Sequence, residues 1–227
     1  MERLFTPELA TFYEEFYSKK GATIMKGRLV KALKPGADGS RAEVAVLDDG
    51  SEVKGDLFVG GTGAKPNGEL FAGQLETDRG AVKVDGFMQS SVKNVLAIGD
   101  VAAFPLKRWQ QHVTHCRLSA AHAASVILEG PEKTGEYDYL PFFYSRVFNL
   151  SWQFYGVNEG TPVFFSHSQD PSAPKFGSFW VKDGKIVGTF LEGGAPEENT
   201  ACKNAVAEGK AAPSADTIAK DGIKSIA

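Results

Sequence analysis

The sequence contains little that would cross-link the chain covalently or insert it into a bilayer. Its only 2 cysteines, Cys116 and Cys202, form neither a CxxC pair nor a disulfide ladder, which is typical of a reduced compartment and favours a cytoplasmic location. No apolar run approaches the roughly 20 residues that span a membrane. The first residues also lack the basic and apolar regions of a signal peptide, so any targeting peptide would lie upstream of Met1. We therefore expect no membrane partner.

Charge of one sign is not in excess either. The 25 basic residues are balanced by 28 acidic ones, which leaves a formal net charge of -3, so no global field favours nucleic acid as a partner. The sequence has no GxSxG elbow, Walker loop, HExxH or cysteine-rich metal frame, which disfavours hydrolases, kinases and metal sites. His112, His115 and His122 share one predicted helix without a nearby acidic ligand, so we expect ordinary helix histidines and no metal.

The first half of the chain has a mixed helix and strand pattern. Thr6-Pro7-Glu8 is a helix start, and the apolar spacing that follows predicts a helix over residues 7–20. Four apolar runs bounded by turn residues predict strands, and an alanine-rich segment closed by Gly130-Pro131 predicts a helix. The strands are expected at residues 22–33, 41–47, 57–60 and 95–98, and the second helix at residues 112–128.

Beyond Glu136 the composition changes, and aromatic residues crowd into positions 137–155. This change predicts a second, α+β domain with a hairpin turn at Asp183-Gly184. Its strands are expected at residues 163–165, 176–181 and 186–191, and its first helix at residues 196–209. The last residues, from Ala211 on, are expected to form a loop and one short amphipathic helix with a fraying end.

Two glycine-containing loops are candidate binding sites. Gly99 and Asp100 follow a predicted strand, where ligands of open α/β sheets bind, although a Gly-Asp pair alone is more often a simple turn. Gly61 and Gly63 lie in a loop that allows the backbone to approach a ligand or another strand closely.

A family resemblance selects between these alternatives. Residues 94–102, an apolar strand followed by Gly99-Asp100 and Val-Ala, resemble the second flavin fingerprint of flavoproteins with two dinucleotide-binding domains, in which the aspartate holds the ribityl chain of FAD. Four further stretches, and with them essentially the whole chain, resemble the monodehydroascorbate reductase family. They are residues 3–7, 136–146, 150–156 and 191–199.

The resemblance implies an α/β plus α+β fold. It consists of incomplete Rossmann-like NAD(P)- and FAD-binding domains over residues 1–86 and 87–135, followed by a C-terminal α+β domain over residues 136–227. The implied reaction passes hydride from NADH or NADPH to FAD, which then gives single electrons to two monodehydroascorbate radicals. The oligomeric state stays open.

The same resemblance assigns roles to individual residues. Asp100, with Gly99, would bind the ribityl chain, and the Val113 backbone would face the flavin at a helix N-terminus. Arg117 would meet the anionic radical, and Tyr144 would lie between nicotinamide, flavin and substrate. Five residues would contact the nicotinamide cofactor: Arg3, Gly61, Gly63, Gln111 and His112.

The chain departs from the family in three respects. Gln111 replaces the usual glutamate, Thr114 and Cys116 replace an aspartate and an alanine, and the loop at residues 106–110 is shorter. No GxGxxG occurs, although the family uses such loops for both pyrophosphates. Three interpretations follow: a fragment or incomplete gene model of a monodehydroascorbate reductase, a non-catalytic remnant that binds no flavin, and a ferredoxin- or rubredoxin-reductase-like flavoprotein. We expect the isolated chain to be colourless.

Overall fold

The computed structural model describes residues 5–104 and 111–226. The chain divides into two compact units, one formed by Met1–Phe12 with Lys65–Ala227 and the other by Tyr13–Ala64. Helix α1 (Pro7–Lys19) begins where the Thr6-Pro7 signal predicts, and the division between the units falls within it.

The smaller unit contains one antiparallel sheet. Strands β1 (Val30–Pro35), β2 (Ala42–Leu47) and β3 (Glu52–Lys54) pair in the order β1-β2-β3. The turn between β2 and β3 is closed by the Asp49 carboxylate, which accepts the Ser51 backbone N–H at 2.9 Å. The expected strand at residues 41–47 is therefore confirmed, and the one at residues 22–33 is confirmed only from Val30 on.

Two expected strands are absent. Residues 57–60 are irregular and exposed, with Leu57 and Val59 at 81% and 87% of their full exposure. Residues 95–98 contribute only an isolated bridge between Leu96 and Gln89. An apolar run becomes a strand only if another strand supplies a continuous ladder of hydrogen bonds. Within the described part of the chain, residues 95–98 take part in only two such bonds, from Ser90 N–H to the Val95 carbonyl and from Ala97 N–H to the Met88 carbonyl, and no described strand pairs along residues 57–60.

The larger unit contains a small mixed sheet and the helix beside it. Strands β4 (Thr77–Asp78), β5 (Ala81–Lys83) and β6 (Ala102–Ala103) pair in sequence order, and β5 and β6 are parallel. Helix α2 (Val113–Glu129) confirms the helix expected at residues 112–128, and a short helix, α3 (Pro131–Thr134), follows. Their shared core includes Val82, Met88, Ala102, Phe104, Ala123, Tyr137 and Tyr139.

The C-terminal part of this unit is a five-stranded antiparallel sheet with two helices. The aromatic stretch forms a hairpin that the pattern did not resolve into strands, and the three expected strands are confirmed and longer. The strands are β7 (Phe142–Val147), β8 (Leu150–Gly156), β9 (Thr161–Ser168), β10 (Lys175–Lys182) and β11 (Lys185–Glu192), in the order β7-β8-β11-β10-β9. Helices α4 (Pro196–Ala207) and α5 (Ala215–Asp221) follow.

The expected fraying at the chain end is wrong. Ile218, Ile223 and Ile226 are buried in the core that also contains Phe179 and Ile186. The Lys210 ammonium also donates a hydrogen bond of 2.7 Å to the Ile226 carbonyl. Burying three isoleucines stabilises the end by several kcal/mol, at about 1.5–3 kcal/mol per side chain, which offsets the entropy of ordering it.

Candidate functional site

The Gly99-Asp100 turn is held against helix α2. Gly99 has a left-handed φ of 66° and begins a short 3₁₀ turn that ends at Val101. Its N–H donates to the buried Ser119 hydroxyl at 3.0 Å, and the Cys116 thiol donates to Asp100 Oδ1 at 3.1 Å. The turn therefore presents the exposed Asp100 carboxylate. Ser119 holds the backbone of the turn, and Cys116 holds the carboxylate itself.

The first turn of α2 lies directly beside this carboxylate. His112 is the N-cap, and its Nδ1 accepts the Thr114 backbone N–H at 3.2 Å. Gln111 is exposed, and the apolar side chain of Val113 is 58% exposed. The N-terminus of the 17-residue helix α2 lies at this surface, so the positive end of the helix dipole is directed there.

Strand β7 approaches the same end of α2. The His112 ring centroid lies 6.1 Å from that of Phe142 and 5.7 Å from that of Phe143. Tyr144 stacks on Phe142 at 5.7 Å, is 56% exposed, and has the Arg146 guanidinium 6.0 Å from its ring centroid. The Tyr144 ring is therefore partly exposed on the edge strand β7.

Arg117 lies on α2 one turn after Val113, with an exposed side chain. It makes no salt bridge within the ranges that the structure describes. Its guanidinium therefore adds positive charge to the exposed face of α2.

Three histidines of the site region have three different neighbours. His115 is fully buried, stacks on Phe104 at 5.1 Å and shares a 3.2 Å hydrogen bond with the Tyr137 hydroxyl. His122 Nε2 lies 3.2 Å from the Gly86 carbonyl, and His112 caps the helix. Among described residues no group of three or more His, Cys, Asp or Glu side chains is arranged to hold a metal ion.

Burial shifts the ionisation of His115 and Tyr137. It lowers the pKa of His115, against the opposing effects of the Gly99 backbone and the Asp100 carboxylate. Burial also raises the pKa of Tyr137, with a further contribution from Tyr139. At neutral pH the two side chains form a neutral hydrogen-bonded pair behind the Gly99-Asp100 turn.

Three residues predicted for the site lie in the smaller unit or outside the described residues. Gly61 and Gly63 lie in the smaller unit, where a Cβ on either would meet no described atom within 4 Å. Arg3 and the short loop at residues 106–110 lie outside the described residues. The site that the described residues form thus consists of Gly99, Asp100, Gln111, His112, Val113, Arg117 and the strand that carries Tyr144.

Sequence reasoning missed the side chains that support this site. His115, Cys116 and Ser119 share the inner face of α2, and each interacts with the Gly99-Asp100 turn or with the core behind it. The sequence signal for this face is that Ser119 follows His115 by four residues and Cys116 by three, because such spacings place side chains on one side of a helix.

Two family models match the chain. The pyridine nucleotide-disulphide oxidoreductase model matches residues 1–125, and the monodehydroascorbate reductase 3-like C-terminal domain matches residues 140–226. None of the described helices is both long and apolar enough to span a membrane.

Curated relatives align with nearly the whole chain. Monodehydroascorbate reductase 3 of Arabidopsis thaliana is 45% identical over 232 residues, covering 98% of this chain and 52% of the relative. Monodehydroascorbate reductase of Pisum sativum is 44% identical, covering 98% of this chain and 53% of the relative. The chain spans about half the length of the curated relatives it matches.

Solved structures share the fold. A ferredoxin reductase from Rhodopseudomonas palustris superposes with a TM-score of 0.77 at 25% identity, over 95% of this chain and 52% of that one. The putidaredoxin reductase–putidaredoxin complex gives a TM-score of 0.78 at 22% identity, over 91% and 50% of the two chains.

Proposed function

Since the chain belongs to the pyridine nucleotide-disulphide oxidoreductase family, we propose that it carries the flavin- and substrate-facing half of an NAD(P)H-dependent monodehydroascorbate reductase. The reaction would regenerate ascorbate, an antioxidant, from its radical. The proposal is supported by the C-terminal match to the monodehydroascorbate reductase 3-like domain and by relatives of that name along nearly the whole chain.

The observation that carries the proposal is that one helix organises the predicted site. The side chains of α2 hold the Gly99-Asp100 turn through hydrogen bonds of 3.0 and 3.1 Å. The same helix exposes Val113 at its N-terminus and Arg117 one turn later, and it packs its N-cap against strand β7. An acceptor for hydroxyls, a positive dipole end and a cation therefore lie within two helical turns.

These residues fit the ribityl and ring portions of FAD. A Cβ at Gly99 would lie 3.1 Å from Cys116 Sγ, so glycine lets the turn lie this close to the helix without displacing the thiol. Asp100 would accept hydrogen bonds from the ribityl hydroxyls, and the first turn of α2, at Val113, would face the ring. When bound, FAD supplies the conversion of two-electron hydride chemistry into single-electron steps.

The remaining residues would bind and orient the small molecules. Arg117 would attract and hold the anionic radical through a charged hydrogen bond. The partly exposed Tyr144 ring would stack against a planar group and exclude water from it. Five residues would contact NADH or NADPH: Arg3, Gly61, Gly63, Gln111 and His112. Both pyrophosphates would need glycine loops that this sequence does not contain.

Complementation tests the proposal. We expect the 227-residue chain purified alone to be colourless and not to oxidise NADH or NADPH when ascorbate oxidase generates the radical. Co-expression with the N-terminal half of the Pisum sativum relative should give a yellow complex with radical-dependent oxidation. Stoichiometric FAD in the chain alone would contradict the assignment of the pyrophosphate contacts, and a colourless complex would contradict the flavin assignment itself.

Variants of the complex test the role of Arg117. Arg117→Ala should raise KM for the radical about tenfold or more, because a charge-assisted hydrogen bond contributes roughly 1.5–3 kcal/mol. Lys133→Ala removes an exposed cation from the neighbouring helix α3 and is the matched control. Equal KM values for both variants would refute the role.

A second candidate function is reduction of an iron-sulfur protein. It is favoured by the ferredoxin reductase that superposes over 95% of this chain at 25% identity. Steady-state assays of the complex with monodehydroascorbate and with a ferredoxin as electron acceptors separate the two functions by kcat/KM.

We also propose a cytoplasmic location, supported by the free thiols of Cys116 and Cys202. One Arabidopsis thaliana relative, 49% identical over 87% of this chain, is named as peroxisomal. Microscopy of a fluorescent fusion would distinguish the two compartments.

A further inference from the structure

Cys116 of helix α2 contacts Asp100 at a sequence separation of 16 residues. The Cys116 thiol is partly buried and lies 3.1 Å from Asp100 Oδ1. An alanine would leave that carboxylate oxygen without this donor.

The rest of the turn is fixed from the same helix face. The fully buried Ser119 hydroxyl accepts the Gly99 N–H at 3.0 Å and donates to the Cys116 carbonyl at 3.2 Å. A Cβ on Gly99 would meet Cys116 Sγ at 3.1 Å. The thiol therefore contacts the Asp100 carboxylate and fills the space beside Gly99 that a side chain would need, and the Ser119 hydroxyl links the turn to α2.

The thiol is suited to donate rather than to react. Burial raises the pKa of Cys116, and the hydrogen bond and negative charge of Asp100 raise it further. A protonated thiol is a hydrogen-bond donor, whereas a thiolate would repel the carboxylate.

We propose that Cys116 is a positioning residue that orients the Asp100 carboxylate toward the ribityl hydroxyls of FAD, with Ser119 holding the Gly99 backbone. This inference rests on the proposed flavin function. Cys116 acts through Asp100 and has no covalent role.

The thiol itself reports the contact in the 227-residue chain without any cofactor. Iodoacetamide labelling between pH 7 and 10, with the modified residue mapped by mass spectrometry, gives the pKa of Cys116. Cys202 is buried, and burial raises its pKa to about 12, so it should stay unlabelled. In Asp100→Asn the carboxylate charge that raises the pKa of Cys116 is lost, so the labelling rate at pH 7.5 should rise about threefold. Asp138→Asn removes an exposed carboxylate elsewhere in the unit and should leave the rate unchanged.

Flavin titration then tests the direction of the effect. Quenching of FAD fluorescence is measured on the co-expressed complex with Cys116→Ser, which keeps a donor, and Cys116→Ala, which does not. We expect the serine variant to bind like the native chain and the alanine variant about three- to tenfold more weakly, the range that one hydrogen bond contributes.

The two failures are distinguishable. If native Cys116 and the Asp100→Asn variant label at equal rates, or if the serine and alanine variants bind FAD equally, the positioning role is overturned. If the native complex does not bind FAD, the proposed function fails. The labelling comparison needs no cofactor, so a faster labelling of Asp100→Asn would then still support the contact through which Cys116 orients the Asp100 carboxylate.

Discussion

The Gly99→Ala substitution tests the geometry on which the site depends. At the observed φ of 66°, a residue with a Cβ costs about 1–2 kcal/mol more than glycine. The new Cβ would also lie 3.1 Å from Cys116 Sγ, a few tenths of an ångström inside ordinary contact, and overpacking of this kind costs about 1 kcal/mol or more. The expected loss in the free energy of unfolding is therefore about 2–3 kcal/mol.

A second substitution separates the two contributions. In the Gly99→Ala, Cys116→Ala double variant the crowded sulfur is gone, so only the backbone contribution should persist. The double variant should then be more stable than additivity predicts by about 0.5–1 kcal/mol. Gly73→Ala is the matched control, because Gly73 also has a left-handed φ, 76°, but a Cβ there meets no described atom within 4 Å.

Urea unfolding followed by far-UV circular dichroism compares the native chain with Gly99→Ala, Cys116→Ala, the double variant and Gly73→Ala, and the m-values check that the transitions are comparable. If Gly99→Ala loses no more stability than Gly73→Ala, or if the Gly99 and Cys116 changes add within about 0.3 kcal/mol, the close approach of the turn to α2 is wrong.

Three further predictions concern the framework around the site. Because burial lowers the pKa of His115 below its ordinary 6.5, the unfolded chain binds more protons. Stability should thus be complete above that pH and fall as the pH drops below it, by about 1.4 kcal/mol per unit of pKa lowering at the acid limit. His115→Gln should flatten this dependence in urea midpoints measured at pH 7.5 and 5.5. Gly188→Ala should cost about 3 kcal/mol or more, because its Cβ would lie 2.1 Å from the Val157 carbonyl oxygen; an unchanged Tm would contradict this packing. The Glu198 carboxylate accepts the Ala195 N–H at 2.8 Å and pairs with Lys175 at 2.6 Å. Glu198→Ala should therefore lower the free energy of unfolding by about 1–2 kcal/mol. A change below about 0.3 kcal/mol would show that the cap contributes nothing.

Local patterns predicted the elements whose determinants lie within a few residues. Thr6-Pro7 marked the start of α1, and Asp183-Gly184 marked the turn between β10 and β11. A hairpin turn requires particular dihedral angles, and Asp183 and Gly184 both have positive φ. The start of α1 and the turn between β10 and β11 are therefore determined by adjacent residues and need no partner from elsewhere in the chain.

Elements that need a distant partner were predicted less well. Residues 57–60 have the apolar composition of a strand, yet no strand pairs along them in the part of the chain that the structure describes. The chain end looked prone to fraying, but Ile226 is buried because β9 and β10 offer it a core. Composition gives the capacity to pair or to be buried, and only the fold supplies the partner.

The candidate site shows the same division. The sequence alone predicted that Gly99 and Asp100 form a turn and that α2 begins near His112, and the whole chain resembles a flavoprotein reductase. Only the tertiary structure decided that Cys116 and Ser119 hold that turn, at a sequence separation of 16 and 20 residues. The physical reason is that a hydrogen bond depends on tenths of an ångström between segments brought together by packing, which no local pattern specifies.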